Sequence, residues 1–328
     1  MQKYNLSASI IIPNWNGKHL LGLCLSSLRK QTFKNFEIIV VDNGSRDGST
    51  GYIKRCYPTI KLIELDKNYG FAKAVNIGIS KAKGKYLILV NNDTEIDKQA
   101  IFFLIKAAKN KKDVGFIASK MINFYKRDLI DSAGDFIDEV GHANNFGLNE
   151  KDGISFNQAR YSFLVTGGGS LFKREMLRKV GLFDENYFAY MEDVDLCLRA
   201  QLLGFKGWYE PKAIIYHIHK ATSSTNPALL EYLQFRNMTQ TIIKDFPLKI
   251  ILKDLRWLKI ILVHINTIFY QMKNGFFWSP IKADFWILIH LPNLLKMRKK
   301  IQKGKVVDDK YIESFLIKKK ISFWGLVK

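Results

Sequence analysis

The sequence predicts an α/β fold with a mainly parallel sheet flanked by helices, followed by a mostly helical carboxyl-terminal extension. First, apolar strand-like runs alternate with amphipathic helical segments from residue 6 to about residue 119. Second, 328 residues with 47% hydrophobic and 25% charged composition are enough to build a large core. Third, the composition changes after about residue 224, where tryptophan and lysine accumulate.

The amino-terminal elements alternate along the chain. We predict strands at residues 7–13, 36–42, 60–65, 86–91 and 114–119, and helices at residues 18–30, 49–56, 71–83 and 97–109. Strands separated by single helices form βαβ units, so these segments predict a Rossmann-like parallel sheet. The intervening turns contain dipeptides that are typical of turns, Asn16-Gly17 and Asp47-Gly48.

The periodicity weakens between residues 120 and 160, where glycine and asparagine accumulate. This composition predicts hairpins or a loop insertion rather than a second sheet of its own. Regular structure resumes at residues 162–175, with a helix that opens near Glu192 and a strand at residues 207–218.

The formal net charge of +21 is concentrated at one end, because residues 227–328 hold 19 Lys and Arg against 7 Asp and Glu. So basic a chain is expected to bind phosphates, anionic lipid or nucleic acid. Here Trp and Phe mix with Lys and Arg at helical spacing, which is typical of helices lying on an anionic membrane surface. A helical subdomain packed on the rest of the chain, or a dimer interface, explains the same pattern. No nucleic-acid-binding module accompanies the charge, so we expect no nucleic acid partner.

The cysteines and the amino terminus indicate the compartment. Cys24, Cys56 and Cys197 are odd in number and widely spaced, which predicts neither a disulfide framework nor a zinc site and suits a reducing cytoplasm. The first residues have too short an apolar run for a signal peptide, and no segment reaches about 18 uninterrupted apolar residues. We therefore expect a cytoplasmic chain that does not span a membrane.

Two carboxylates follow predicted inner strands at the edge where open α/β sheets bind ligands. Asp42 is placed to accept hydrogen bonds from a base or a ribose, although a turn-forming aspartate explains it equally well. Asp93 ends the run Asn91-Asn92-Asp93, and a divalent ion on a diphosphate needs only one or two protein carboxylates. The alternative for Asp93 is an acid at a helix start. The sequence contains neither the dinucleotide-binding glycine motif nor a P-loop.

A third acidic cluster, Glu192, Asp193 and Asp195, opens a predicted helix. Acids at a helix start interact well with the macrodipole, and Asp195 forms an i,i+4 pair with Arg199, so we interpret Asp195 as structural. Glu192 and Asp193 are adjacent and point in different directions. One of them can therefore face a cleft while the other anchors the turn.

Two further features lie late in the predicted sheet. The run Gly167–Gly169 permits close approach of the backbone to a ligand, and a bulge in a strand explains it nearly as well. His217 and His219 alternate along a strand, so both can face one side. A histidine is more often a packed or surface residue than a ligand, and the neighbouring motifs favour His217.

Taken in order, several segments resemble the family 2 glycosyltransferases of the GT-A fold: IIPNWNG, FEIIVVDNGSRDGST, NYGFAKAVNIGI, LVNNDT, GGGSLFKRE, FAYMEDVDLCLRA and YHIHKATSS. They look most like the branch that includes rhamnosyltransferases of surface polysaccharide synthesis. The resemblance runs from about residue 7 to residue 224. It implies a catalytic domain at residues 1–225, divided near residue 120 into a nucleotide-binding half and an acceptor-side half, and a helical region at residues 226–328.

The resemblance also implies roles for single residues. Those around the nucleotide and the donor sugar are Pro13, Asn14, Asp42, Asn43, Lys73, Asn91, Asn92, Gly168 and Gly169, with weaker support for Lys73. Asp93 and His217 are expected to hold a divalent cation, Mg²⁺ or Mn²⁺. Asp193 is expected to be the general base, with Glu192 beside it in the family's Glu-Asp motif. The first aspartate of the family's Asp-x-Asp element is replaced by Asn91.

The expected activity is inverting transfer of a sugar from a dTDP- or UDP-linked donor to a glycan or lipid-linked acceptor at the inner face of the cell membrane. Rhamnose is the sugar that the resemblance favours, and a homo-oligomer stays open. A sugar nucleotidyltransferase is an alternative, but it needs a glycine-rich and basic phosphate loop after the first strand. A non-catalytic membrane-associated binding protein is another, and the joint presence of Asp42, Asp93, Asp193 and His217 argues against it.

Overall fold

A computed structural model of the chain describes residue 4, residues 6–218 and residues 226–318. Three features of the sequence lie outside the described residues: His219 of the predicted histidine pair, the segment 219–225 at the predicted domain boundary, and the lysines at 319 and 320. The strands are β1 (Leu6–Asn14), β2 (Phe36–Asp42), β3 (Lys61–Glu64), β4 (Gly84–Val90), β5 (Thr94–Ile96), β6 (Val114–Asn123), β7 (Ile130–Ser132), β8 (Asp135–Asp138), β9 (Ala143–Asn145), β10 (Arg160–Ser162), β11 (Gly169–Lys173), β12 (Lys206–His217) and β13 (Leu316–Ile317).

The helices fall into two groups, those around the main sheet and those of the carboxyl-terminal region. The first group is α1 (Lys18–Arg29), α2 (Ser49–Cys56), α3 (Phe71–Lys81), α4 (Ala100–Asn110), α5 (Arg174–Val180) and α6 (Glu192–Leu202). The second is α7 (Pro227–Asp245), α8 (Leu248–Leu252), α9 (Arg256–Lys273), α10 (Trp278–Gly304) and α11 (Asp309–Glu313).

The main sheet has the strand order β10-β12-β6-β11-β4-β1-β2-β3, with β5 paired to β12 and β7 paired to β6. Strand β1 runs parallel to both β2 and β4, and β2 runs parallel to β3. The carboxyl ends of β1, β2 and β4 therefore meet at one edge of the sheet. Strand β11 enters antiparallel between β4 and β6. The predicted mainly parallel α/β sheet is confirmed.

The aliphatic strands of this sheet are buried on both faces. In β1, Ile10 and Ile12 pack against α1 and α4, whereas Ile11 packs against α3 on the opposite face. Strand β4 divides in the same way, with Ile88 and Val90 on one side and Leu87 and Leu89 on the other. A strand covered by helices on both faces reads as a continuous apolar run, which is why these segments lack alternation.

The structure corrects three expectations near the site. Helix α4 begins at Ala100 rather than at residue 97, because Asp97 turns the chain there and accepts a hydrogen bond from the Gln99 amide at 2.9 Å. The short strand β5 separates Asp93 from α4, so the interpretation of Asp93 as an acid at the helix start is wrong. Strand β6 also continues to Asn123, four residues beyond the predicted end.

Residues 120–160 form the predicted hairpins, but the expectation that they build no sheet of their own is wrong. Strands β8 and β9 pair antiparallel, and β13 from the far end of the chain adds a parallel third strand. This sheet closes through a partner more than 170 residues away in sequence, which local periodicity does not reveal.

The carboxyl-terminal helices pack on the α/β region, as one of the two alternatives for this segment predicted. Helix α7 lies against α6 and α10, and its buried side chains include Phe235, Met238 and Ile242. Among the described residues, no helix combines the length and the apolar character needed to cross a bilayer.

Candidate functional site

Three polar side chains at the ends of β1, β2 and β4 form a buried hydrogen-bonded group, which we call the amide network: Asn14, Asp42 and Asn92. Asn14 Nδ2 donates to Asp42 Oδ1 at 2.8 Å, and Asn92 Nδ2 donates to Asn14 Oδ1 at 2.7 Å. The Ser45 amide donates to the other oxygen of Asp42 at 2.9 Å. Gly17 leaves room for the contact between Asn92 and Asn14, since a Cβ at residue 17 would lie 2.1 Å from Asn92 Nδ2. Side chains and one backbone amide of the chain itself thus hold the network together.

The neighbouring predicted residues surround this network at different depths. Pro13 precedes Asn14 in β1 and is half-buried. Asn43 Nδ2 donates to Asn68 Oδ1 at 2.9 Å and to the Gly70 carbonyl at 3.1 Å, which fixes the loop before α3. Lys73 lies farther out, where its ammonium is 3.8 Å from Glu185 and 4.7 Å from the ring centre of Tyr69.

Asp93 and His217 meet beside the amide network. The Asp93 Oδ1 atom is buried, lies 3.5 Å from His217 Nε2 and has no hydrogen-bond donor among the described residues. On the other side of the ring, Asp131 Oδ2 lies 2.7 Å from Nδ1. Burial disfavours the charged ring, but Asp131 and Asp93 outweigh it and raise the pKa of His217 to about 10.

This arrangement fits a divalent cation. Two ligands of an octahedral ion at about 2.1 Å stand roughly 3 Å apart, so the 3.5 Å separation of Asp93 Oδ1 and His217 Nε2 requires little movement of these side chains. The His217 ring must release its Nε2 proton to bind a cation, because a metal-bound histidine is neutral. A carboxylate behind the far ring nitrogen, as Asp131 is here, orients metal-bound histidines in general. Within the described residues, no three His, Cys, Asp or Glu side chains form a complete metal site. Phosphate oxygens and water would therefore have to complete the coordination.

The glycine run connects these residues to the start of α6. The Asn91 amide donates to the Gly168 carbonyl at 3.0 Å, and a Cβ at Gly168 would lie 2.6 Å from Asn91 Nδ2. The next backbone amide toward the amino terminus, that of Gly167, donates to Asp193 Oδ2 at 2.7 Å. Gly169 already belongs to β11, where it pairs with Val90. The close approach that the glycines permit is thus between two parts of the chain's own site.

Glu192 and Asp193, which we call the acid pair, occupy the first turn of α6. Asp193 is half-buried and also accepts a hydrogen bond from the Val194 amide at 2.8 Å. Burial raises the pKa of Asp193, against the opposing effect of the Gly167 and Val194 amides. A carboxylate has about four lone-pair positions, so two accepted bonds leave capacity for a hydroxyl. Asp193 can therefore take a proton from a neighbouring molecule.

Glu192 has a different environment. It is 5% exposed, and its Oε2 atom has no hydrogen-bond partner among the described residues. Burial, reinforced by the charge of Asp193, holds the pKa of Glu192 well above its usual range. The two adjacent carboxyl groups therefore differ, since Asp193 accepts two amide hydrogen bonds whereas Glu192 Oε2 has no partner among the described residues.

Asp195 has the structural role predicted for it. Its Oδ2 atom accepts from Arg199 Nη2 at 2.6 Å, and its Oδ1 atom accepts from Lys244 Nζ of α7 at 2.7 Å. Burial opposes the charge, but these two cations keep the pKa of Asp195 below its usual range. The contact to Lys244 was not predicted, because that lysine reads as part of the basic tail.

Two carboxylates of the site escaped the sequence analysis, Asp131 and Asp135. Asp131 orients His217, and Asp135 accepts from Ser132 Oγ at 2.7 Å. Burial, together with the charges of Asp193 and Asp131, raises the pKa of Asp135 to about 7. The only signal in the sequence was the acidic spacing Asp131-Ser-Ala-Gly-Asp135 in a stretch without periodicity.

The geometry combines three capacities at one sheet edge. The amide network offers fixed hydrogen-bonding groups, Asp93 and His217 offer a cation position, and Asp193 offers a base of raised pKa. The last two are joined through the Asn91 and Gly168 backbone contact. Such a set suits transfer of a group away from a phosphate-bearing ligand.

Comparison with known proteins gives the family. Residues 9–181 match the model for glycosyl transferase family 2. An uncharacterized glycosyltransferase of Rickettsia prowazekii is 29% identical over 248 residues, which cover 74% of this chain and 73% of that protein. The amylovoran biosynthesis glycosyltransferase AmsB of Erwinia amylovora is 30% identical over 210 residues, covering 62% and 66%.

Other curated relatives are longer than this chain. The poly-beta-1,6-N-acetyl-D-glucosamine synthase of Staphylococcus epidermidis is 25% identical over 210 residues, which cover 63% of this chain and 49% of the synthase. The chain spans only 24% of an uncharacterized Sinorhizobium fredii protein to which it is 28% identical over 227 residues.

Two solved structures share the architecture. The mannosyltransferase PcManGT from Pyrobaculum calidifontis, in complex with GDP-Man and Mn²⁺, has a TM-score of 0.54 over 92% of this chain and 89% of its own, at 14% identity. TarS 1–349 of S. aureus, in complex with UDP, has a TM-score of 0.52 over 93% and 95%, at 18% identity. The expected GT-A fold is confirmed. Because the family model matches more than half of the chain, the protein belongs to glycosyltransferase family 2.

Proposed function

We propose that the chain is an inverting glycosyltransferase that moves a sugar from a UDP- or dTDP-linked donor to a glycan or lipid-linked acceptor in polysaccharide synthesis. One observation carries the proposal: the strand end with Asp93 and the loop that binds Asp193 are hydrogen-bonded to each other through Asn91 and Gly168. The segment that carries the cation position and the residue that would act as base are therefore linked through two consecutive glycines. Names of the relatives AmsB and poly-beta-1,6-N-acetyl-D-glucosamine synthase support the polysaccharide context.

In this mechanism Asp193 removes the proton of the acceptor hydroxyl as its oxygen attacks the anomeric carbon. The bond from that carbon to the diphosphate oxygen breaks, the nucleoside diphosphate leaves, and the configuration inverts without an enzyme-bound intermediate. Asp93 and His217 would hold a divalent cation, Mg²⁺ or Mn²⁺, which would neutralise the charge of the diphosphate. A general base typically raises the reaction rate by about 10²–10⁴-fold.

The remaining roles follow from position. Pro13, Asn14, Asp42 and Asn43 would hold the base and ribose, because they border the end of β1 and β2. Asn91, Asn92, Gly168 and Gly169 would line the sugar and diphosphate, and Lys73 would stand at the outer nucleotide side. Rhamnose is the first sugar to test, on sequence resemblance. The domain division at residue 225 is also part of the proposal, with α7 serving both regions.

Thermal stabilisation by a panel of UDP-, dTDP- and GDP-sugars, each with and without Mn²⁺, tests the donor class. A ligand at 100 times its Kd stabilises the native state by about 2.7 kcal/mol, so a true donor raises the Tm. We expect the largest rise with a UDP- or dTDP-sugar plus Mn²⁺, and loss of its Mn²⁺-dependent part in Asp93→Ala. No rise with any nucleotide sugar, or equal rises in Asp93→Ala, would contradict the donor site.

Product analysis separates this function from its alternative. A glycosyltransferase releases a nucleoside diphosphate when acceptor is added, whereas a sugar nucleotidyltransferase releases or consumes pyrophosphate. Release of UDP or dTDP that depends on acceptor supports the proposal. Pyrophosphate as the phosphorus-containing product would replace it with the nucleotidyltransferase.

We further propose that the chain binds the anionic inner face of the cell membrane through an apolar face on α9 and α10. On α9 the exposed side chains Leu258, Ile261, Ile265 and Phe269 recur at helical spacing. On α10 the exposed side chains are Trp278, Ile281, Phe285, Leu288 and Ile289. Phe269, Phe285 and Leu288 are 66%, 65% and 68% exposed, which is unusual for such side chains on a soluble surface.

Charge favours lipid over a second copy as the occupant of this face. The region from residue 227 carries 19 Lys and Arg against 7 Asp and Glu, so two copies would repel each other where an anionic leaflet attracts. Lys249, Lys273 and Lys282 are among its exposed lysines. Apolar side chains can enter the interface while lysines stay at the headgroups.

Sedimentation with vesicles tests this face. We expect binding to vesicles that contain phosphatidylglycerol, weaker binding to phosphatidylcholine alone, and loss of binding in the double variant Phe285→Glu, Leu288→Glu. Phe102→Glu is the matched control, because Phe102 is 41% exposed but lies on α4 of the α/β region. Vesicle binding that survives the double variant, or a dimer in solution that dissociates with it, would contradict the lipid assignment.

A further inference from the structure

The acid pair is preceded by a loop with an unusual backbone. Phe188, Tyr190 and Met191 have φ values of 64°, 68° and 69°. Residues with bulky side chains rarely adopt positive φ, and such positions persist only where their surroundings fix them. Phe188, with ψ of −66°, is the centre of a tight turn in which the Ala189 amide donates to the Tyr187 carbonyl at 2.7 Å. Glu192, the first residue of the acid pair, directly follows Met191.

Two adjacent side chains of α7 hold the carbonyl groups of this loop. Asn237 Nδ2 lies 3.0 Å from the Tyr187 carbonyl, 2.8 Å from that of Ala189 and 2.7 Å from that of Tyr190. Arg236 Nη2 donates to the Asn186 and Tyr187 carbonyls, each at 2.8 Å. We call Arg236 and Asn237 the carbonyl clamp. Asn237 is 0% exposed and Arg236 is 6% exposed, so water does not compete for these bonds.

The clamp residues are themselves fixed. Asn237 Oδ1 accepts from Arg236 Nε at 2.9 Å and from Gln240 Nε2 at 2.8 Å, which sets the orientation of the amide so that its NH₂ faces the loop. The guanidinium of Arg236 lies 4.7 Å from the ring centre of Trp286 on α10. Neither side chain can easily adopt another arrangement without leaving a buried donor unpaired.

A second set of contacts joins helix α7 to Tyr187 and to helix α6. Tyr187 and Thr241 hydroxyls lie 2.7 Å apart, and Lys244 Nζ lies 2.7 Å from Asp195 Oδ1 in α6. Helix α7 therefore holds both the loop before the acid pair and the helix that follows it. The direction in which Asp193 points is set from both sides by the carboxyl-terminal region.

We propose that Arg236 and Asn237 are positioning residues for Asp193: they maintain the loop at residues 186–191 in the conformation that aims the base at the acceptor hydroxyl. The inference rests on the proposed function, since it needs Asp193 to act as base. The bonds concentrate on carbonyls of the left-handed loop rather than being spread along α7. A purely stabilising contact would not require this concentration.

Turnover in two conservative variants tests the clamp. Asn237→Asp keeps the shape of the side chain and its Oδ1 acceptor but removes the NH₂ donor. Arg236→Lys keeps the positive charge but removes the planar guanidinium and its paired N–H donors. We expect kcat to fall about 10–100-fold in each variant, because misplacing a reacting group by about 1 Å lowers the rate by about that factor. The KM for the donor should stay within about twofold of the wild-type value. Gln302→Ala is the matched control: its amide donates to the Asp245 carbonyl at 2.8 Å, at the end of α7 and away from the loop. Its kcat should stay at the wild-type value.

Hydrogen exchange supplies a readout that needs no activity. Amides of residues 187–195 should exchange faster in Asn237→Asp than in the wild type or in Gln302→Ala. An active wild type with unchanged kcat and unchanged exchange in both clamp variants would overturn this inference alone. A fall in kcat of the same size in Gln302→Ala would also overturn it, because general destabilisation would then explain the loss. A wild type that transfers no sugar from any donor would instead overturn the proposed function.

Discussion

The amide network and the acid pair lie at the same sheet edge but are built differently. Asn14, Asp42 and Asn92 satisfy one another with bonds of 2.7 and 2.8 Å at the carboxyl ends of three parallel strands. The acid pair instead contains a buried oxygen that has no hydrogen-bond partner within the described part of the chain, and its pKa values are raised. It follows a loop with three residues of positive φ. A satisfied network suits binding of a ligand in one pose, whereas unsatisfied charge suits chemistry. The comparison predicts that damage to the two sides appears in different kinetic constants.

The largest effect is expected from the acid pair. Asp193→Asn should fold normally and keep its donor affinity, yet lose about 10²–10⁴-fold in kcat, because the base acts mainly in the transition state. Steady-state kinetics combined with donor titration checks this. Turnover near the wild-type value would remove Asp193 from the base role.

The cation position should respond through a residue that does not touch the ion. Asp131→Asn leaves the His217 ring in place but weakens its orientation, so we expect the apparent Mn²⁺ affinity to fall about 10–100-fold. Titration of Mn²⁺ in the presence of UDP measures this change. Asp113→Asn is the control, because Asp113 pairs with Lys206 at the surface. Equal Mn²⁺ affinities in the two variants would count against the site.

The amide network should give the opposite kinetic pattern to the acid pair. Asp42→Asn replaces a charged acceptor and should weaken donor binding about 10–100-fold, in line with about 1.5–3 kcal/mol for hydrogen bonds to charged groups. Turnover at saturating donor should change much less. A large fall in kcat with unchanged donor affinity would show that the two sides are not functionally distinct.

The smallest effect is a displacement of the pH profile. A base works only when deprotonated, and burial raises the pKa of Asp193, so kcat should fall with decreasing pH at values above the ordinary aspartate range. Donor binding should stay nearly constant over the same interval. Activity that persists undiminished down to about pH 4 would contradict the raised pKa.

Sequence reasoning located the parts of the site that obey local rules. Asp42 and Asp93 follow buried strands, and the rule that parallel strands gather ligands at their carboxyl ends placed both. Asp195 was interpreted correctly from its i,i+4 spacing to Arg199. These are inferences within one element or one turn.

The remaining parts depend on contacts between distant segments. Asp131 reaches His217 across 86 residues, and Asn237 reaches the Tyr190 carbonyl across 47. Lys244 carries the same charge as its basic neighbours in sequence, but it is fully buried between Asp184 and Asp195. Composition identifies such a residue as basic without revealing that it lies in the core.

The proposed function requires that Asp93 and His217 hold a cation beside a donor whose acceptor side faces Asp193. Anomalous diffraction from crystals grown with Mn²⁺ and UDP or dTDP tests it most directly. We expect one manganese peak at about 2.0–2.3 Å from both Asp93 Oδ1 and His217 Nε2, with diphosphate oxygens completing the coordination. Manganese and diphosphate bound elsewhere on the chain, with no ion between Asp93 and His217, would contradict this proposal.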